Sequence, residues 1–427
     1  MSVGPYETID FGQLAEAFPP LKPFLFKNTG GRYSLNFKDD AANRTLTRAL
    51  LKRDFGLDVT LLEDRLCPPV GTLILNYVLW ISEVVKAISP DEPIIGLDVG
   101  TGSTAIYPLL ACSIHRTWQF IAADIDSRSL AAAQVNIEQN SGVKGRIYLY
   151  PTNPDAPVLS PLLPENLSRI GIVDAGITFS MCNPPFYSDI EEVNRSAESK
   201  EYDPHAVCTG ALVEMITPGG EVAFVQRMID ESMGLRETCK WYTSLLGKMS
   251  SVTALVQSIK EKGIDNYAIA EIIQGTTRRW VVGWSFTDTR LPDTLARPKS
   301  SSLKSIAPLP NTLHHTTSQP ISHELLVRVL EDVPRLQRQE EQTPPRIRVL
   351  VSEITWTRAA RRRMARAVPT LDEEQDQASA SPIMMVCEVS VVDDHTLKVR
   401  WVRGKDRSTF ESFWGYVSKK LDAGALA

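Results

Sequence analysis

The fold of this chain is decided by the stretch Ile94–Ser103, with the sequence IIGLDVGTGS. Its apolar beginning predicts a buried β-strand, which ends in Asp98 and runs into Gly100-x-Gly102. Glycines directly after a strand let the backbone approach a ligand closely, as at the first crossover of an α/β sheet. The third glycine of the dinucleotide fingerprint is absent, because position 105 is alanine, and no P-loop Gly-Lys-Ser/Thr follows. The stretch predicts a nucleotide-type turn, although Gly-x-Gly alone also fits an ordinary tight turn.

A second acidic residue follows the next apolar run. Asp124 closes the predicted strand 118–124, some twenty positions after the glycines. An acidic residue at this place is suited to bind the hydroxyl pair of a ribose. Asp126, two residues further, is expected to cap the helix Ser127–Gln139 instead.

Short apolar runs alternate with helical stretches between residues 94 and 227, which predicts βαβ units and a parallel sheet. A neighbouring strand pair, Tyr267–Gln274 and Arg279–Phe286, is expected to close the sheet in antiparallel fashion. The remaining predicted strands are 94–99, 146–150, 172–181 and 220–226, and the predicted helices are 104–112, 128–140, 208–216, 228–246 and 252–262.

The tetrapeptide Asn183-Pro184-Pro185-Phe186 follows one of these strands. An exocyclic amine on an aromatic ring is a poor nucleophile, and it improves when acceptors bind both of its hydrogens. The Asn183 side chain and the Pro184 carbonyl could supply the two acceptors, and Phe186 a face on which a base stacks. Proline fixes φ and biases the preceding residue toward an extended conformation. The alternative is a plain strand-to-loop turn.

The three motifs together have the chain order and approximate spacing of S-adenosylmethionine-dependent methyltransferases. The predicted fold is therefore α/β, of the class I methyltransferase type, with a Rossmann-like, mostly parallel seven-stranded sheet and a small α+β C-terminal domain. The expected domains are a helical N-terminal extension at 1–90, the methyltransferase domain at 91–287, a Pro/Ser/Thr-rich linker at 288–320, and an accessory domain at 321–427 with an acidic loop at 368–381.

A basic cluster within the accessory domain is a candidate RNA-binding surface. A helical set of arginines can contact phosphates without reading base sequence. The alternative is a solvated helix face, paired with the acidic loop just downstream. The members are Arg358, Arg361, Arg362, Arg363 and Arg366.

Composition narrows the classes of protein. The net charge is −5, so contact with nucleic acid must come from local basic patches. The six cysteines are scattered singly and the six histidines form no cluster, so neither a metal site nor disulfides are expected. No apolar run has the length of a membrane span, and residues 1–10 do not resemble a secretory signal. An intracellular protein, with no membrane association, is expected.

Beyond these motifs, the chain resembles the methyltransferase-like protein 16 family, over residues 1–287 continuously and over 321–366 and 383–421 more distantly. The resemblance includes Asp98–Gly102 together with Ile106–Leu110 (IYPLL), and the tetrapeptide Asn183–Phe186. The other segments that carry it are Arg32–Asp39 (RYSLNFKD), Asp54–Leu57 (DFGL), Trp241–Lys248 (WYTSLLGK) and Gln274–Phe286 (QGTTRRWVVGWSF).

The resemblance implies an enzyme that methylates N6 of a flipped adenosine in structured RNA, typically U6 small nuclear RNA or a similar hairpin. Its cofactor would be S-adenosyl-L-methionine. It also implies a loop over the RNA at Glu191–Val207 and a monomer in the nucleus, with the cytoplasm as a second location. The implied catalytic residues are Asn183, Pro184, Pro185 and Phe186, and the implied cofactor-binding residues are Asp98, Gly100, Gly102, Ser103, Thr104, Asp124, Thr152 and Asn153.

One position departs from the family. An arginine that reaches the cofactor's carboxylate usually precedes Leu-Asn-Tyr, but here Ile74 precedes Leu75-Asn76-Tyr77. An apolar side chain cannot make that charge-assisted bond, which is worth about 1.5–3 kcal/mol. Ile74 favours one alternative, an RNA-binding protein with a weakened catalytic site. The tetrapeptide leaves a second alternative open, because it also serves adenine methyltransferases of other nucleic acids, such as ribosomal RNA or DNA. A glutamine in a protein is a further substrate that the tetrapeptide allows.

Overall fold

The computed structural model describes residues 9–66, 72–89, 93–172, 176–193, 211–274, 277–342, 345–366 and 382–424. The chain divides into two compact units. The first unit consists of Met1–Thr287 and Arg297–Pro308, and the second of Asp288–Ala296 and Leu309–Ala427.

The N-terminal part of the first unit is helical, as expected, with a small hairpin in addition. Asp39 caps the second helix by accepting hydrogen bonds from two backbone N–H groups, and Gly56, at φ +68°, ends it. The elements are α1 (Phe11–Ala17), β1 (Leu25–Lys27), β2 (Tyr33–Leu35), α2 (Asp40–Phe55) and α3 (Thr72–Ile88).

Seven strands in the described part of the first unit form one sheet. They are β3 (Ile95–Val99), β4 (Gln119–Asp124), β5 (Ile147–Pro151), β6 (Ile177–Cys182), β7 (Cys239–Leu246), β8 (Asn266–Gln274) and β9 (Thr277–Ser285). Their order is β5-β4-β3-β6-β7-β9-β8, and only the pairs β7–β9 and β8–β9 are antiparallel. The predicted methyltransferase sheet, mostly parallel with an antiparallel closure, is confirmed.

The helices that accompany this sheet correct two predictions. The strand predicted at 220–226 is wrong, because these residues begin a helix that buries Val225, Met228 and Ile229. The helix predicted at 228–246 is wrong in its second half, where β7 is buried at almost every position and so shows no strand alternation. The helices are α4 (Ile106–Ile114), α5 (Ser127–Gln139), α6 (Pro164–Arg169), α7 (Leu212–Met215), α8 (Gly220–Leu235) and α9 (Met249–Glu261).

The second unit contains a five-stranded antiparallel sheet with its own core. Phe410 and Phe413 are fully buried, and Trp401 stacks on Phe410 at 5.4 Å, so aromatic side chains of the last helix form part of this core. The elements are α10 (Asp293–Ala296), β10 (Thr312–Thr316), α11 (His323–Glu331), β11 (Gln337–Gln342), β12 (Pro345–Val351), α12 (Arg358–Arg366), β13 (Met385–Asp393), β14 (Thr396–Gly404) and α13 (Arg407–Gly424).

The segment 288–320, which the sequence suggested to be a linker, is structured. It is shared between the two units, and β10 forms five register pairs with β14. The many Pro, Ser and Thr residues of the segment hide this strand from a composition argument. The predicted acidic loop at 368–381 lies outside the described residues.

The centre of the first sheet depends on one glycine. A Cβ atom at Gly96 in β3 would lie 2.6 Å from Cζ of Phe179 and 2.8 Å from Cε1 of Phe120. These two rings pack edge to face, with their centroids 5.6 Å apart. The absence of a side chain at Gly96 therefore allows both rings to fill the sheet face beside β3.

We expect Gly96→Ala to destabilise the first unit by about 1–3 kcal/mol, because both rings are fully buried and must shift to admit the methyl group. Gly234→Ala in α8 is the matched control, since a Cβ there meets nothing within 4 Å, and it should be neutral or stabilising. Chemical denaturation measures both variants. Equal stabilities of the two variants would contradict this account of the core.

Candidate active site at the carboxyl edge of the sheet

Strand β3 is paired in parallel on both sides, and this arrangement defines the site. Val99 lies opposite Ala123 in β4 and opposite Cys182 in β6. The residues that follow the three strands therefore emerge at one edge of the sheet. The strand order also reverses at β3, which is where open α/β sheets bind ligands.

The glycine turn is hydrogen-bonded to the end of β4. The backbone N–H groups of Gly100 and Thr101 both donate to the Ala123 carbonyl at 2.9 Å, and that of Gly102 donates to Asp124 at 2.8 Å. Gly100 and Gly102 have φ values of +73° and +66°, a region that favours glycine. A Cβ at Gly100 would meet nothing within 4 Å, so the turn has free space above it.

Asp98 is the most unusual group at this edge. It is fully buried, and neither carboxylate oxygen has a hydrogen-bond partner among the described residues. Burial raises the pKa of Asp98 to about 7, the nearby Thr101 hydroxyl opposes this shift, and the charge of Asp124 adds to it. A carboxylate in such a position is suited to bind a cationic ligand group.

The structure confirms the cap at Asp126 and places Asp124 against the glycine turn. The Asp124 carboxylate accepts the backbone N–H of Asp126 as well as that of Gly102, and burial raises the pKa of Asp124. Asp126 caps α5 by accepting from the backbone of Arg128 and Ser129. Asp124 is therefore the acid that lines the glycine turn.

Two charged residues that the sequence analysis did not single out lie beside this edge. Arg65 is 8% exposed and pairs with Asp126 at 2.7 Å. Glu214 accepts the backbone N–H of Leu66 at 2.9 Å, and its other oxygen lies 3.8 Å from where a Cβ on Gly102 would be. Burial raises the pKa of Glu214. No sequence signal identifies them, because their partners are 61 and 148 residues away.

The tetrapeptide begins immediately after β6. The Oδ1 atom of Asn183 is buried and has no hydrogen-bond partner in the described part of the chain. Downstream, Tyr187 donates its backbone N–H to the Met215 carbonyl at 3.0 Å and accepts from the N–H of Thr217 at 3.0 Å. The segment is thus fixed at both ends, with an acceptor of Asn183 available to a ligand.

The Phe186 ring has support from two sides. The Arg279 guanidinium lies 5.7 Å from the ring centroid, which is a cation–π distance. On another side, the ring packs against Gly247, where a Cβ would lie 3.0 Å from Cδ1 of Phe186. Glu221, 2% exposed, accepts the backbone N–H groups of Gly247 and Lys248 at 2.7 and 3.1 Å. The acidic start of α8 therefore determines where the aromatic ring lies.

The other expected cofactor residues have varied positions. Ser103 and Thr104 are each 4% exposed and lead from the glycine turn into α4. Thr152 follows β5 and donates its N–H to the Asp124 carbonyl at 3.0 Å, whereas Asn153 uses its side-chain oxygen for a turn. Ile74 is 8% exposed on α3. Most of the loop predicted at Glu191–Val207 lies outside the described residues.

In the second unit, the basic cluster is a helix, α12, with all five arginines exposed. No ion pair involves these arginines among the described residues.

The described residues contain no group of His, Cys, Asp or Glu side chains that could hold a metal ion. None of the described helices combines the length and apolarity needed to span a membrane.

Comparisons with known proteins agree with this geometry. A family model described as an RNA methyltransferase matches residues 5–288. A Schizosaccharomyces pombe protein named U6 small nuclear RNA (adenine-(43)-N(6))-methyltransferase is 34% identical over 395 residues, 91% of this chain and 95% of its own length. The mouse RNA N(6)-adenosine-methyltransferase METTL16 is 36% identical over 283 residues, 65% of this chain. That match covers 49% of the mouse protein, so this chain spans about half of its length.

Solved human structures are also similar. The hMettl16 catalytic domain in complex with the MAT2A 3'UTR hairpin 1 has a TM-score of 0.60 at 32% identity, covering 70% of this chain and 100% of that chain. The N-terminal domain of human METTL16 in complex with SAH has a TM-score of 0.54 at 32% identity, covering 66% of this chain and 96% of that chain. The carboxyl edge of the sheet fits S-adenosylmethionine, since the unpartnered Asp98 carboxylate suits its ammonium and the space over Gly100 suits close approach.

The raised pKa of Asp98 predicts a pH dependence. Because the native state retains a proton that the unfolded state releases above about pH 4, the unliganded protein should lose stability as the pH rises to about 7. Asp98→Asn should remove this loss, so it should be about 2–4 kcal/mol more stable than the wild type at pH 8. Thermal and chemical denaturation from pH 5 to 8 measure the effect.

The same substitution should weaken binding of S-adenosylmethionine by about 10–100-fold, since it removes a charge-assisted hydrogen bond. Wild-type affinity should increase with pH up to about 7, whereas that of Asp98→Asn should not. Calorimetry measures both, with Asp155→Asn, at an exposed carboxylate, as the control. Parallel pH profiles of the wild type and Asp98→Asn would exclude Asp98 from the cofactor site.

Proposed function

The chain belongs to the RNA methyltransferase family that includes the METTL16 proteins, and we propose that it methylates N6 of an adenosine in structured RNA. The observation that carries this proposal is the position of Asn183-Pro184-Pro185-Phe186 beside the glycine turn and Asp124, at the edge where the strand order reverses. The name of the Schizosaccharomyces pombe relative specifies U6 small nuclear RNA, and we propose this RNA as the substrate.

The acceptor amine would be positioned by two oxygens. The buried, unpartnered Oδ1 of Asn183 and the carbonyl of Pro184 can each accept one hydrogen of an exocyclic amine. Both hydrogens of the amine would then be held in hydrogen bonds, so the nitrogen lone pair would rotate out of conjugation with the ring. Phe186, supported by Arg279, would stack on the flipped base.

The methyl group would come from S-adenosylmethionine, which supplies it activated on a sulfonium. Asp98 would bind its ammonium, Asp124 its ribose hydroxyls, and the glycine turn would let it lie against the backbone. Ser103, Thr104, Thr152 and Asn153 are proposed to complete this site. The protein would contribute orientation and exclusion of water, with no general base, because the methylated nitrogen readily loses a proton.

A second proposal concerns the accessory unit. The five exposed arginines of α12 carry charge that no described acidic residue neutralises, which supports contact with RNA phosphates.

We also propose that the protein is a monomer and that it acts in the nucleus. The small nuclear RNA in the name of the Schizosaccharomyces pombe relative supports the location.

One observation favours a second function, that of an RNA-binding protein with a weak catalytic site. Ile74 is buried and apolar where the resembling family carries an arginine, so this position supplies no cation for the cofactor's carboxylate. The intact Asn183, Asp98 and Asp124 favour the enzyme. One measurement distinguishes the two functions: the wild-type chain should transfer methyl groups to RNA if it is the enzyme, and should bind RNA with little or no transfer otherwise.

We expect Asn183→Ala to lower methyl transfer to a U6-like hairpin at least 100-fold, because the variant lacks one of the two amine acceptors. RNA affinity should stay within about two-fold of wild type. Mass spectrometry of N6-methyladenosine measures the first quantity and a binding titration the second. Asn166→Ala is the matched control, since Asn166 is also buried but donates to the Ser160 carbonyl away from the tetrapeptide. Normal methylation by Asn183→Ala would refute the catalytic assignment.

Reversal of Arg361, Arg362 and Arg366 to Glu should weaken RNA binding and flatten its salt dependence, because fewer phosphates are neutralised. The slope of log affinity against log salt should fall by about 0.7–0.9 for each phosphate that the variant no longer neutralises. The control reverses Arg328, Lys405 and Lys419, which are exposed in the same unit and change the net charge equally. If both triple variants have the same slope, α12 is an ordinary solvated helix face.

A further inference from the structure

Strand β6 loses one neighbour just before the tetrapeptide begins. Its register with β7 ends at Ser180 opposite Tyr242, whereas its register with β3 continues to Cys182 opposite Val99. The last residues of the strand before the pocket are therefore paired by a backbone ladder on the β3 side alone. An unsupported strand end of this kind would leave Asn183 free to shift.

Side-chain hydroxyls occupy the β7 side at this point. Thr243 donates its hydroxyl to the Ser180 carbonyl at 2.7 Å, and its oxygen lies 2.6 Å from the Tyr77 hydroxyl. Because the Thr243 proton is already used, Tyr77 must be the donor in the second bond. The Cys182 backbone N–H in turn donates to the Tyr77 oxygen at 3.4 Å. The three hydrogen bonds therefore form one chain: the Cys182 N–H donates to Tyr77, Tyr77 donates to Thr243, and Thr243 donates to the Ser180 carbonyl.

This hydroxyl bridge, formed by Tyr77 and Thr243, is inaccessible to water. Both side chains are fully buried, and Cys182 is 1% exposed, so no solvent can replace a broken hydrogen bond. Burial raises the pKa of the Tyr77 hydroxyl well above its usual value, so the hydroxyl keeps its proton.

The surroundings fix both members of the bridge. The Tyr107 ring meets the Tyr77 ring edge to face at 5.6 Å. Thr243 packs its methyl group against β9 at Gly283, where a Cβ would lie 3.2 Å from it. With the methyl group against β9, the Thr243 hydroxyl is directed to β6 and Tyr77.

We propose that Tyr77 and Thr243 are positioning residues for methyl transfer: their hydroxyls replace the missing strand ladder and fix the peptide that carries Asn183. This inference rests on the proposed function. Asn183 follows Cys182 directly, and its oxygen has no other partner in the described chain, so its place depends on the end of β6. In-line transfer tolerates little displacement of the acceptor, and a shift of about 1 Å can lower the rate about 100-fold.

The test separates the hydroxyls from the bulk of the side chains. Tyr77→Phe and Thr243→Val remove the bridging oxygen atoms and keep the shape, whereas Thr243→Ser keeps the hydroxyl. The first two should lower kcat on a U6-like hairpin about 10–100-fold, with KM for RNA and Kd for S-adenosylmethionine within about three-fold of wild type. Thr243→Ser should retain kcat within about three-fold. The kcat of the double variant should be close to that of the slower single variant, since both substitutions act on one bridge.

Tyr267→Phe is the matched control. Tyr267 is also buried and donates its hydroxyl to the Ile306 carbonyl at 2.9 Å, but it lies on β8, at the far edge of the sheet. The variant should lack a comparable hydrogen bond and melt at a lower temperature, while kcat at a temperature where all variants are folded stays near wild type. An equal loss of kcat in Tyr77→Phe and Tyr267→Phe would reduce the bridge to a structural role and overturn the proposal.

Amide hydrogen exchange of the peptide 177–186 gives a readout that does not require activity. Tyr77→Phe should accelerate exchange at Cys182 and Asn183, and Tyr267→Phe should not. Unchanged exchange in Tyr77→Phe overturns the bridge itself, and faster exchange with wild-type kcat overturns its role in positioning. Faster exchange in a protein whose wild type methylates no RNA would show instead that the proposed function fails, and the positioning role with it.

Discussion

The site depends on the backbone pairing of β3 with two parallel neighbours. Hydrogen bonds between parallel strands fix the register, so the ends of β3, β4 and β6 must reach the same edge. The chain then uses each end for a different purpose: a glycine turn after β3, an acid at the end of β4, and Asn183 after β6. Gly96 lets the large rings of the neighbouring strands pack beside β3, so the core and the site share one strand.

The acids at this edge favour the binding of a cation. Arg65 is paired with Asp126 and Asp64, at 2.7 and 3.0 Å, and its charge also opposes the rise in the pKa of Glu214. Asp98, Asp124 and Glu214 all have a raised pKa because they are buried. Such groups destabilise the unliganded protein in their ionised form, and a cation lowers this cost when it binds. The arrangement suits a sulfonium cofactor with an ammonium group, although Ile74 supplies no cation for the carboxylate of that cofactor.

The sequence was sufficient where local chemistry decides the structure. Gly-x-Gly, the closing acid Asp124 and the cap at Asp126 are all local signals, and each predicted element is present. The sequence misled where periodicity is ambiguous: GEVAFVQ, at the start of α8, has enough apolar residues for a strand, and β7 is too fully buried to alternate. Strand β10 was also hidden, since it comes from a segment of loop-like composition that the sequence suggested to be a linker.

Interactions over long sequence distances were beyond any local pattern, and they decide how the tetrapeptide Asn183–Phe186 is held. Tyr77 reaches Thr243 across 166 residues, and Glu221 fixes the loop at Gly247 beside Phe186. Asn183 and Phe186 thus depend on separate buried supports, one made of hydroxyls and the other of a carboxylate with backbone N–H groups. Because water cannot reach the hydroxyl support, its removal leaves buried polar groups unsatisfied. The geometry of the pocket is therefore coupled to the stability of the sheet, although α3, β7 and α8 contribute no atom to the tetrapeptide itself.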